Sequence, residues 1–200
     1  MANFIKEEVD IPINYKVLVH DDFMPEEFCD NLIEKIMCLS TPESYFPWYW
    51  VQVIPQDVPF QVLGQTDAVC DVKRNWQFCH TFWKNFKQNS DYFELIEPII
   101  TKINPNRLER VKANIHPWEE TQVTHGFHID TDTIGLTSIF YINDNNGKTI
   151  FRTLDENGDY EYVEVPSKKN RLITFDSRIM HSGTNQTDTP YRLVLNINYT

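Results

Sequence analysis

The chain has 200 residues, enough for one ordinary domain, and 41% of them are hydrophobic and 14% aromatic. Such a composition can build a core, so a disordered protein is excluded. With 18 Lys and Arg against 29 Asp and Glu, the net charge is −11, which disfavours nucleic acid as a partner because that binding depends largely on phosphate neutralisation.

The cysteines and the N-terminus indicate the cellular compartment. Cys29, Cys38, Cys70 and Cys79 form no CxxC pair, and we expect them to be reduced, mostly buried thiols. The start of the chain, MANFIKEEVDIPINY, lacks the pattern of a signal peptide, and no stretch approaches the ~18 apolar residues of a membrane span. We therefore expect a soluble cytoplasmic protein with no membrane partner, while its oligomeric state cannot be predicted.

The first half of the chain carries helical signals. Residues 21–27 supply an N-cap, a proline and acidic side chains, and apolar residues follow at helical spacing at Phe28, Leu32, Ile33 and Ile36. Beyond this first helix we predict a strand over 48–54, a second helix over 75–88 and a third over 91–103. The aromatic run 46–50 is expected to pack between helices and sheet, the alternative being that it covers the substrate entrance.

From residue 107 onward, short strands alternate with turn residues. The predicted strands cover residues 109–115, 123–130, 136–142, 149–153, 160–165, 171–176 and 192–199. Short strands at this spacing suggest a jelly roll, and helices followed by strands are an α+β order. We predict one domain over residues 1–200, with 1–106 as mainly helical support packed on one face of a jelly-roll core formed by 107–200.

Three residues in this second half form a candidate metal site. His128 and Asp130 are two apart on a predicted strand, so their side chains point the same way and can bind one ion together. His181 would complete a set of two imidazoles and one carboxylate, which is the arrangement in non-haem Fe(II) oxygenases. An HxD pair by itself also arises by chance among surface or turn-capping residues, so the prediction depends on all three positions.

Four segments resemble, in order, the Fe(II)/2-oxoglutarate-dependent dioxygenases, and within them the prolyl-4-hydroxylase-like branch. They are GFHID, TSIFYIN, NRLITFDSRIMHSG and YRLVLNINY, which cover most of residues 107–199, and VLVHDDFMPEEFCDNLIEKI looks like the first strand and helix of that branch. The resemblance implies a double-stranded β-helix core with a catalytic Fe(II) bound by His128, Asp130 and His181. It also implies 2-oxoglutarate and O2 as cosubstrates, with ascorbate as a supporting reductant.

The same resemblance places 2-oxoglutarate on Arg192, whose guanidinium offers a planar, permanently charged pair of donors to the distal carboxylate. Tyr141 lies where relatives place a tyrosine that hydrogen-bonds this carboxylate; the alternative is a plain core tyrosine. Many relatives have a small hydroxyl residue where this chain has Val194, and Thr137 or Thr174 is expected to compensate.

Strand alternation groups further residues on common faces, and the family resemblance implies that one of these faces borders the metal. Asn114 and His116 share one face with Lys112, and either is expected to contact the C1 carboxylate or the substrate, or else to line the wall. His125 falls on the opposite side of its strand from His128, so we do not predict it to be a ligand. The loop residues Trp118, Glu119 and Glu120 are predicted to lie on the substrate side.

The resemblance implies hydroxylation of an amino-acid residue, with a prolyl residue in a peptide or protein as the leading substrate. The alternative is a free amino acid or another small molecule. A nucleic-acid demethylase would carry an arginine at the position of Asn198, and a halogenase would lack Asp130. A non-catalytic jelly-roll binding protein would have no reason to keep Arg192 and Tyr141 beside a metal, and a zinc hydrolase would need a general-base motif that we do not find.

Overall fold

The structure, a computed structural model, describes residues 7–11, 15–39, 45–52, 76–131, 134–154 and 157–200. In this part of the chain the helices are α1 (Phe28–Ile36) and α2 (Glu97–Ile103), with a 3-10 turn at Phe93–Leu95. The strands are β1 (Glu7–Ile11), β2 (Tyr15–His20), β3 (Tyr49–Gln52), β4 (Trp76–Lys84), β5 (Lys87–Gln88), β6 (Leu108–Pro117), β7 (Leu136–Tyr141), β8 (Lys148–Leu154), β9 (Tyr160–Pro166), β10 (Arg171–Asp176), β11 (His181–Gly183) and β12 (Tyr191–Tyr199).

The strands form two antiparallel sheets. The larger sheet has the order β1-β2-β10-β7-β12-β6-β4-β3, with β5 paired to β4, and the smaller sheet has the order β11-β8-β9. Phe151 and Val165 of the smaller sheet pack with Tyr141, Ile173 and Val194 of the larger one. Two antiparallel sheets packed face to face are consistent with the predicted jelly roll.

The two faces of the larger sheet have different chemistry, as β12 shows. Leu193, Leu195 and Ile197 point to one side, where they pack in the same hydrophobic cluster as Leu32 of α1 and Ile99 of α2. The intervening residues, Arg192, Val194, Asn196 and Asn198, point to the side of the smaller sheet. The period-2 alternation of β12 therefore buries an apolar row under the helices, and it turns three polar side chains and Val194 towards the smaller sheet.

The helix predicted over residues 75–88 is wrong. Trp76–Lys84 forms β4, which pairs with β3 and β6. Phe78 and Phe82 are four residues apart, a spacing that puts them on one side of either a helix or a strand, and both pack in the cluster under the helices. Their spacing therefore does not distinguish the two structures, and pairing with β6 decides for the strand. The first half of the chain is consequently not mainly helical support: it adds five strands to the larger sheet.

The aromatic run divides between packing and exposure. Phe46 is buried and contacts the rings of His80 and Phe82, as expected for packing. Tyr49 and Trp50, in contrast, are exposed on β3 at the edge of the larger sheet.

The described cysteines, Cys29, Cys38 and Cys79, are free thiols, and only Cys29 of these is fully buried; Cys70 lies outside the described residues. Burial raises the pKa of the Cys29 thiol to about 11, so it is un-ionised and unreactive at neutral pH. No helix in the described segments has the length and apolar character needed to cross a membrane.

An ion pair at Asp21 joins the residues before α1 to β10. Its carboxylate accepts hydrogen bonds from Arg171 Nε at 2.6 Å and from Lys168 Nζ at 2.7 Å, and these partners lower the pKa of Asp21 to about 2. Since this is below the ordinary value of 3.8, the pair stabilises the fold above that pH and its contribution is lost as the pH falls towards 2.

We expect Asp21→Asn to lower the free energy of unfolding by about 1 kcal/mol at neutral pH. The difference from wild type should shrink steadily as the pH falls, because the wild-type carboxylate is then protonated as well. Urea denaturation of both proteins over a pH series measures this difference, and a difference independent of pH would show that the ion pairs contribute nothing.

Candidate metal and cosubstrate site

A cavity of about 370 Å³ opens between the two sheets. Its walls come mainly from the inward-facing residues of β6 and β12, from β11 and from the segment between His125 and Asp130. Single residues of β3, β4, β7 and β8 complete the lining. The volume lies at the small end of the ~300–1,000 Å³ range of small-molecule sites. The cavity therefore suits small polar ligands.

The three predicted metal ligands meet in this cavity. One side-chain ligand atom from each of His128, Asp130 and His181 lies within 4.8 Å of the other two. His181 Nε2 is 3.7 Å from Asp130 Oδ2, and the two imidazole rings are 4.6 Å apart between centroids. The group can hold a metal ion, with two nitrogen donors and one carboxylate.

The backbone brings these residues together without the strand predicted over 123–130. That segment forms only isolated bridges, between Thr124 and Thr184 and between His128 and His181. His128 and His181 exchange both backbone hydrogen bonds, each 2.9 Å long, and the Asp130 amide donates to Ser177 at 3.1 Å. The segment is thus anchored directly at the candidate ligands.

Each imidazole is oriented by a backbone carbonyl. His128 Nδ1 lies 3.1 Å from the Gly126 oxygen, and His181 Nδ1 lies 2.9 Å from the Ile179 oxygen. A carbonyl oxygen can only accept, so Nδ1 carries the proton in both rings and Nε2 keeps its lone pair for a metal. Burial lowers the pKa of His181 to about 4, so that ring is neutral at neutral pH.

Asp130 is held by three donors. Its Oδ1 accepts from Arg110 Nη2 at 2.8 Å, and its Oδ2 accepts from Thr137 Oγ1 at 3.0 Å and from Asn196 Nδ2 at 3.2 Å. Burial acts to raise the pKa of Asp130, but His181, Arg110 and the other neighbours outweigh it and hold that pKa well below its usual range. The carboxylate is therefore ionised and fixed in place.

Replacing Asn196 with alanine removes one of these donors while leaving every ligand in place. We expect the affinity for Mn(II) to fall about tenfold, the lower end of the effect of such outer partners on metal sites. Metal titration monitored by calorimetry measures the change. An unaltered affinity would mean that Asp130 is oriented without help from Asn196.

Arg192 is buried at the other end of the cavity. Its Nε donates to Ser167 Oγ at 3.1 Å and its guanidinium lies 5.7 Å from the centre of the Tyr141 ring. No acidic side chain in the described part of the chain pairs with it. A Cβ on Gly147 would lie 2.6 Å from Arg192 Cδ, so that glycine makes room for the side chain.

Tyr141 is not among the side chains that line the cavity. The tyrosine is fully buried, and its hydroxyl donates to Thr149 Oγ1 at 2.7 Å. Thr149 itself lines the cavity, and because its oxygen accepts from Tyr141, its own proton is available to a ligand. Thr149 thus lies between Tyr141 and the cavity, and the role predicted for Tyr141 stays a prediction.

The two threonines expected to compensate for Val194 do not reach Arg192. Thr137 donates to Asp130, and Thr174 pairs with Ser138 at 2.7 Å. The hydroxyl that does contact the arginine is that of Ser167, which accepts a hydrogen bond from Arg192 Nε.

Two residues that line the cavity, Asn114 of β6 and His125, carry polar atoms without a hydrogen-bond partner among the described residues. Asn114 Oδ1 is buried without a hydrogen bond, as are both ring nitrogens of His125. His125 stacks on His116 with 4.6 Å between ring centroids, and burial lowers the pKa of His125 to about 4. Since buried polar groups are almost always hydrogen-bonded, these atoms indicate a cavity built to receive a polar ligand.

The parity argument for His125 fails for the same reason as the strand prediction. The segment is irregular, so His125 lines the cavity although it precedes His128 by an odd number of residues. It is absent from the metal-binding group. Trp118, predicted on the substrate side, is exposed and donates from Nε1 to the Thr187 oxygen, and neither it nor Glu119 or Glu120 lines the cavity.

Sequence reasoning also missed Arg110, which binds Asp130 and lines the cavity. Strand alternation carried two residues back from Lys112 would have identified it. Nothing in the sequence pointed to Thr149, Val51 or Gln77 as lining residues.

Comparison with solved structures identifies the fold. A prolyl hydroxylase from Trichoplax adhaerens, in complex with a hypoxia-inducible factor oxygen-degradation-domain peptide fragment, matches 92% of this chain and 82% of its own with a TM-score of 0.58 and 12% identity. A Pseudomonas putida prolyl-4-hydroxylase matches 93% of both chains with a TM-score of 0.54 and 12% identity. The chain therefore shares its fold with these two hydroxylases.

A third match shows this oxygenase fold with small molecules bound. SnoN, an epimerase from nogalamycin biosynthesis in complex with Fe3+, α-ketoglutarate and nogalamycin RO, matches 92% of this chain and 78% of its own with a TM-score of 0.56 and 14% identity. No protein-family model and no curated protein sequence matches the chain.

Proposed function

We propose that this protein is an Fe(II)- and 2-oxoglutarate-dependent oxygenase. One observation carries the proposal: a single cavity contains both the group of His128, Asp130 and His181 and the buried guanidinium of Arg192. This guanidinium has no acidic partner in the described part of the chain. The first is a metal-binding set with open positions, and the second is a site for a carboxylate.

The residues present fit both groups. His128, Asp130 and His181 would bind Fe(II), while Arg192 and Thr149 would bind the distal carboxylate of 2-oxoglutarate, with Asn114 facing its other end. When bound, the metal and 2-oxoglutarate supply the oxidation: with O2 they give succinate, CO2 and one oxygen atom for a substrate C–H bond, and ascorbate serves as a supporting reductant.

The protein contributes position and charge to this reaction. Arg110, Thr137 and Asn196 fix the carboxylate ligand, and the backbone carbonyls fix both imidazoles. The metal and 2-oxoglutarate would carry out the oxidation, so the orientation that the cavity gives to the substrate would decide which C–H bond reacts.

For the substrate we propose an amino-acid residue, with a prolyl residue in a peptide or protein as the leading candidate. The resemblance of the sequence motifs to prolyl hydroxylases supports this proposal. A free amino acid or another small molecule is the second candidate, and the small volume of the cavity favours it.

A succinate-release assay tests these candidates. The Fe(II)-loaded protein is given 2-oxoglutarate, O2, ascorbate and, in turn, prolyl peptides, free proline, lysyl peptides and asparaginyl peptides. We expect one of them to raise succinate production above the substrate-free rate and to gain one oxygen atom by mass spectrometry. Stimulation by methylated oligonucleotides alone, with formaldehyde released, would contradict the amino-acid assignment.

A further inference from the structure

The cavity contains one more cationic side chain, Lys112, which has no role in binding the metal or 2-oxoglutarate in the proposed function. Lys112 lies on β6 between Arg110 and Asn114 and lines the cavity with both of them. Arg110 is occupied, since it donates to Asp130 and to Asn198 Oδ1 at 2.8 Å each. Lys112 has no hydrogen bond or ion pair with any residue in the described part of the chain, and burial lowers its pKa.

The charges of the cavity do not balance without a further anion. Arg110, Lys112 and Arg192 line it as cations and Asp130 is the only carboxylate among the described lining residues. A divalent metal and doubly charged 2-oxoglutarate cancel one another, so the loaded site keeps an excess of positive charge. The whole chain carries −11, so this excess is local, and in a cavity of low dielectric an unpaired charge is costly.

The position of Lys112 separates it from the end where Arg192 lies. On the paired strands, Arg192 is opposite His116, whereas Lys112 is opposite Asn196, four residues further along β12. Four residues of strand span ~13 Å. Lys112 is thus paired with Asn196, whose side chain donates a hydrogen bond to the candidate metal ligand Asp130. We infer that Lys112 lies near the metal group, where the substrate would have to bind.

We propose that Lys112 binds a carboxylate of the substrate. The inference rests on the proposed oxygenase function and narrows its substrate class to small carboxylic acids. Free α-amino acids belong to this class: their carboxylate would pair locally with Lys112, although as zwitterions they leave the net charge of the cavity unchanged. An internal residue of a peptide chain has its α-carboxyl group in an amide bond and would leave Lys112 with only the longer-range attraction of Asp130 and no hydrogen-bonded carboxylate. The small volume of the cavity supports a small substrate.

The test measures binding to the anaerobic, Mn(II)-loaded protein with saturating 2-oxoglutarate, so that Arg192 is occupied. The probes are free acids and their amides, namely proline and prolinamide, leucine and leucinamide, and a short peptide ending in proline as acid and as amide. We expect at least one free amino acid to bind about 30-fold more tightly than its amide, the effect of one charge-assisted hydrogen bond. If only the peptide binds more tightly as an acid than as an amide, the carboxylate bound by Lys112 is that of a peptide C-terminus. That result would contradict a free amino acid as the substrate.

Lys112→Met should reduce that discrimination to less than about threefold, and Lys112→Arg should restore most of it. Lys87→Met, on exposed β5, is the matched control and should change nothing. Equal binding of acids and amides, discrimination that survives Lys112→Met, or no acid binding at all would overturn the proposal. A parallel loss of 2-oxoglutarate affinity in Lys112→Met would overturn it too, since the lysine would then serve the cosubstrate.

The proposed function is measured separately, as conversion of 2-oxoglutarate to succinate by the Fe(II)-loaded wild type. If the wild type does not convert 2-oxoglutarate but still binds acids in a Lys112-dependent way, the proposed oxygenase function is wrong. The proposal that Lys112 binds a carboxylate is then still supported. If the wild type converts 2-oxoglutarate but binds acids no more tightly than amides, the proposal for Lys112 is wrong and the oxygenase function is still supported.

Discussion

Asp130→Ala should abolish tight binding of Fe(II) and of its redox-stable substitute Mn(II). The substitution removes the only anionic ligand of the group formed with His128 and His181, and it leaves the guanidinium of Arg110 without its carboxylate. Loss of an outer partner alone weakens metal sites ~10–100-fold, so loss of the carboxylate ligand should cost more than about 100-fold. Equilibrium dialysis with Mn(II) measures the affinity.

The matched control is Asp176→Ala, because Asp176 also pairs with an arginine but lies outside the metal-binding group. Its metal affinity should equal that of the wild type. A fluorescence or circular dichroism melting curve checks that Asp130→Ala is folded. If the folded variant binds Mn(II) as tightly as wild type does, the assignment of the ligands is wrong.

Arg192→Ala should have the second large effect, on 2-oxoglutarate and not on the metal. A buried charge-assisted pair is worth ~2–5 kcal/mol, so the affinity for 2-oxoglutarate should fall by at least about 30-fold. Titration of 2-oxoglutarate into the Mn(II)-loaded variant measures this loss. Metal affinity should stay within about twofold of wild type, because Arg192 has no contact with the three ligands.

The two glycines beside Arg192 give a test that leaves its charge intact. A Cβ on Gly147 would lie 2.6 Å from Arg192 Cδ, whereas one on Gly183 would lie an ordinary 3.5 Å from Nη1. Gly147→Ala should therefore displace the guanidinium and weaken 2-oxoglutarate binding, and Gly183→Ala should be tolerated. Normal 2-oxoglutarate affinity in both Arg192→Ala and Gly147→Ala would remove Arg192 from the site.

The candidate metal group was predictable because its residues combine a metal-binding chemistry with positions at strand ends. His128, Asp130 and His181 do come together, although the segment carrying the first two is not the regular strand on which the prediction relied. Side-chain identity therefore carried more information here than backbone periodicity did.

The failures follow from interactions between residues distant in sequence. The aromatic residues of β4 fit both a helical and a strand period, and only pairing with β6 decides between them. His125 lines the cavity because backbone hydrogen bonds to β11 set the course of its segment, which therefore lacks the regular alternation of a strand. Tyr141 finds a partner in Thr149, on the next strand of the chain, which leaves the threonine facing the cavity.

The measurement that tests the central claim most directly is the fate of 2-oxoglutarate in the Fe(II)-loaded protein. Succinate and O2 consumption are followed together, in wild type and in Asp130→Ala. The account predicts that wild type forms one succinate for each O2 consumed, that omission of Fe(II) or O2 stops the reaction, and that Asp130→Ala forms none. Fe(II) binding by a folded wild type that forms no succinate with any substrate of the panel, or undiminished turnover by Asp130→Ala, would contradict it.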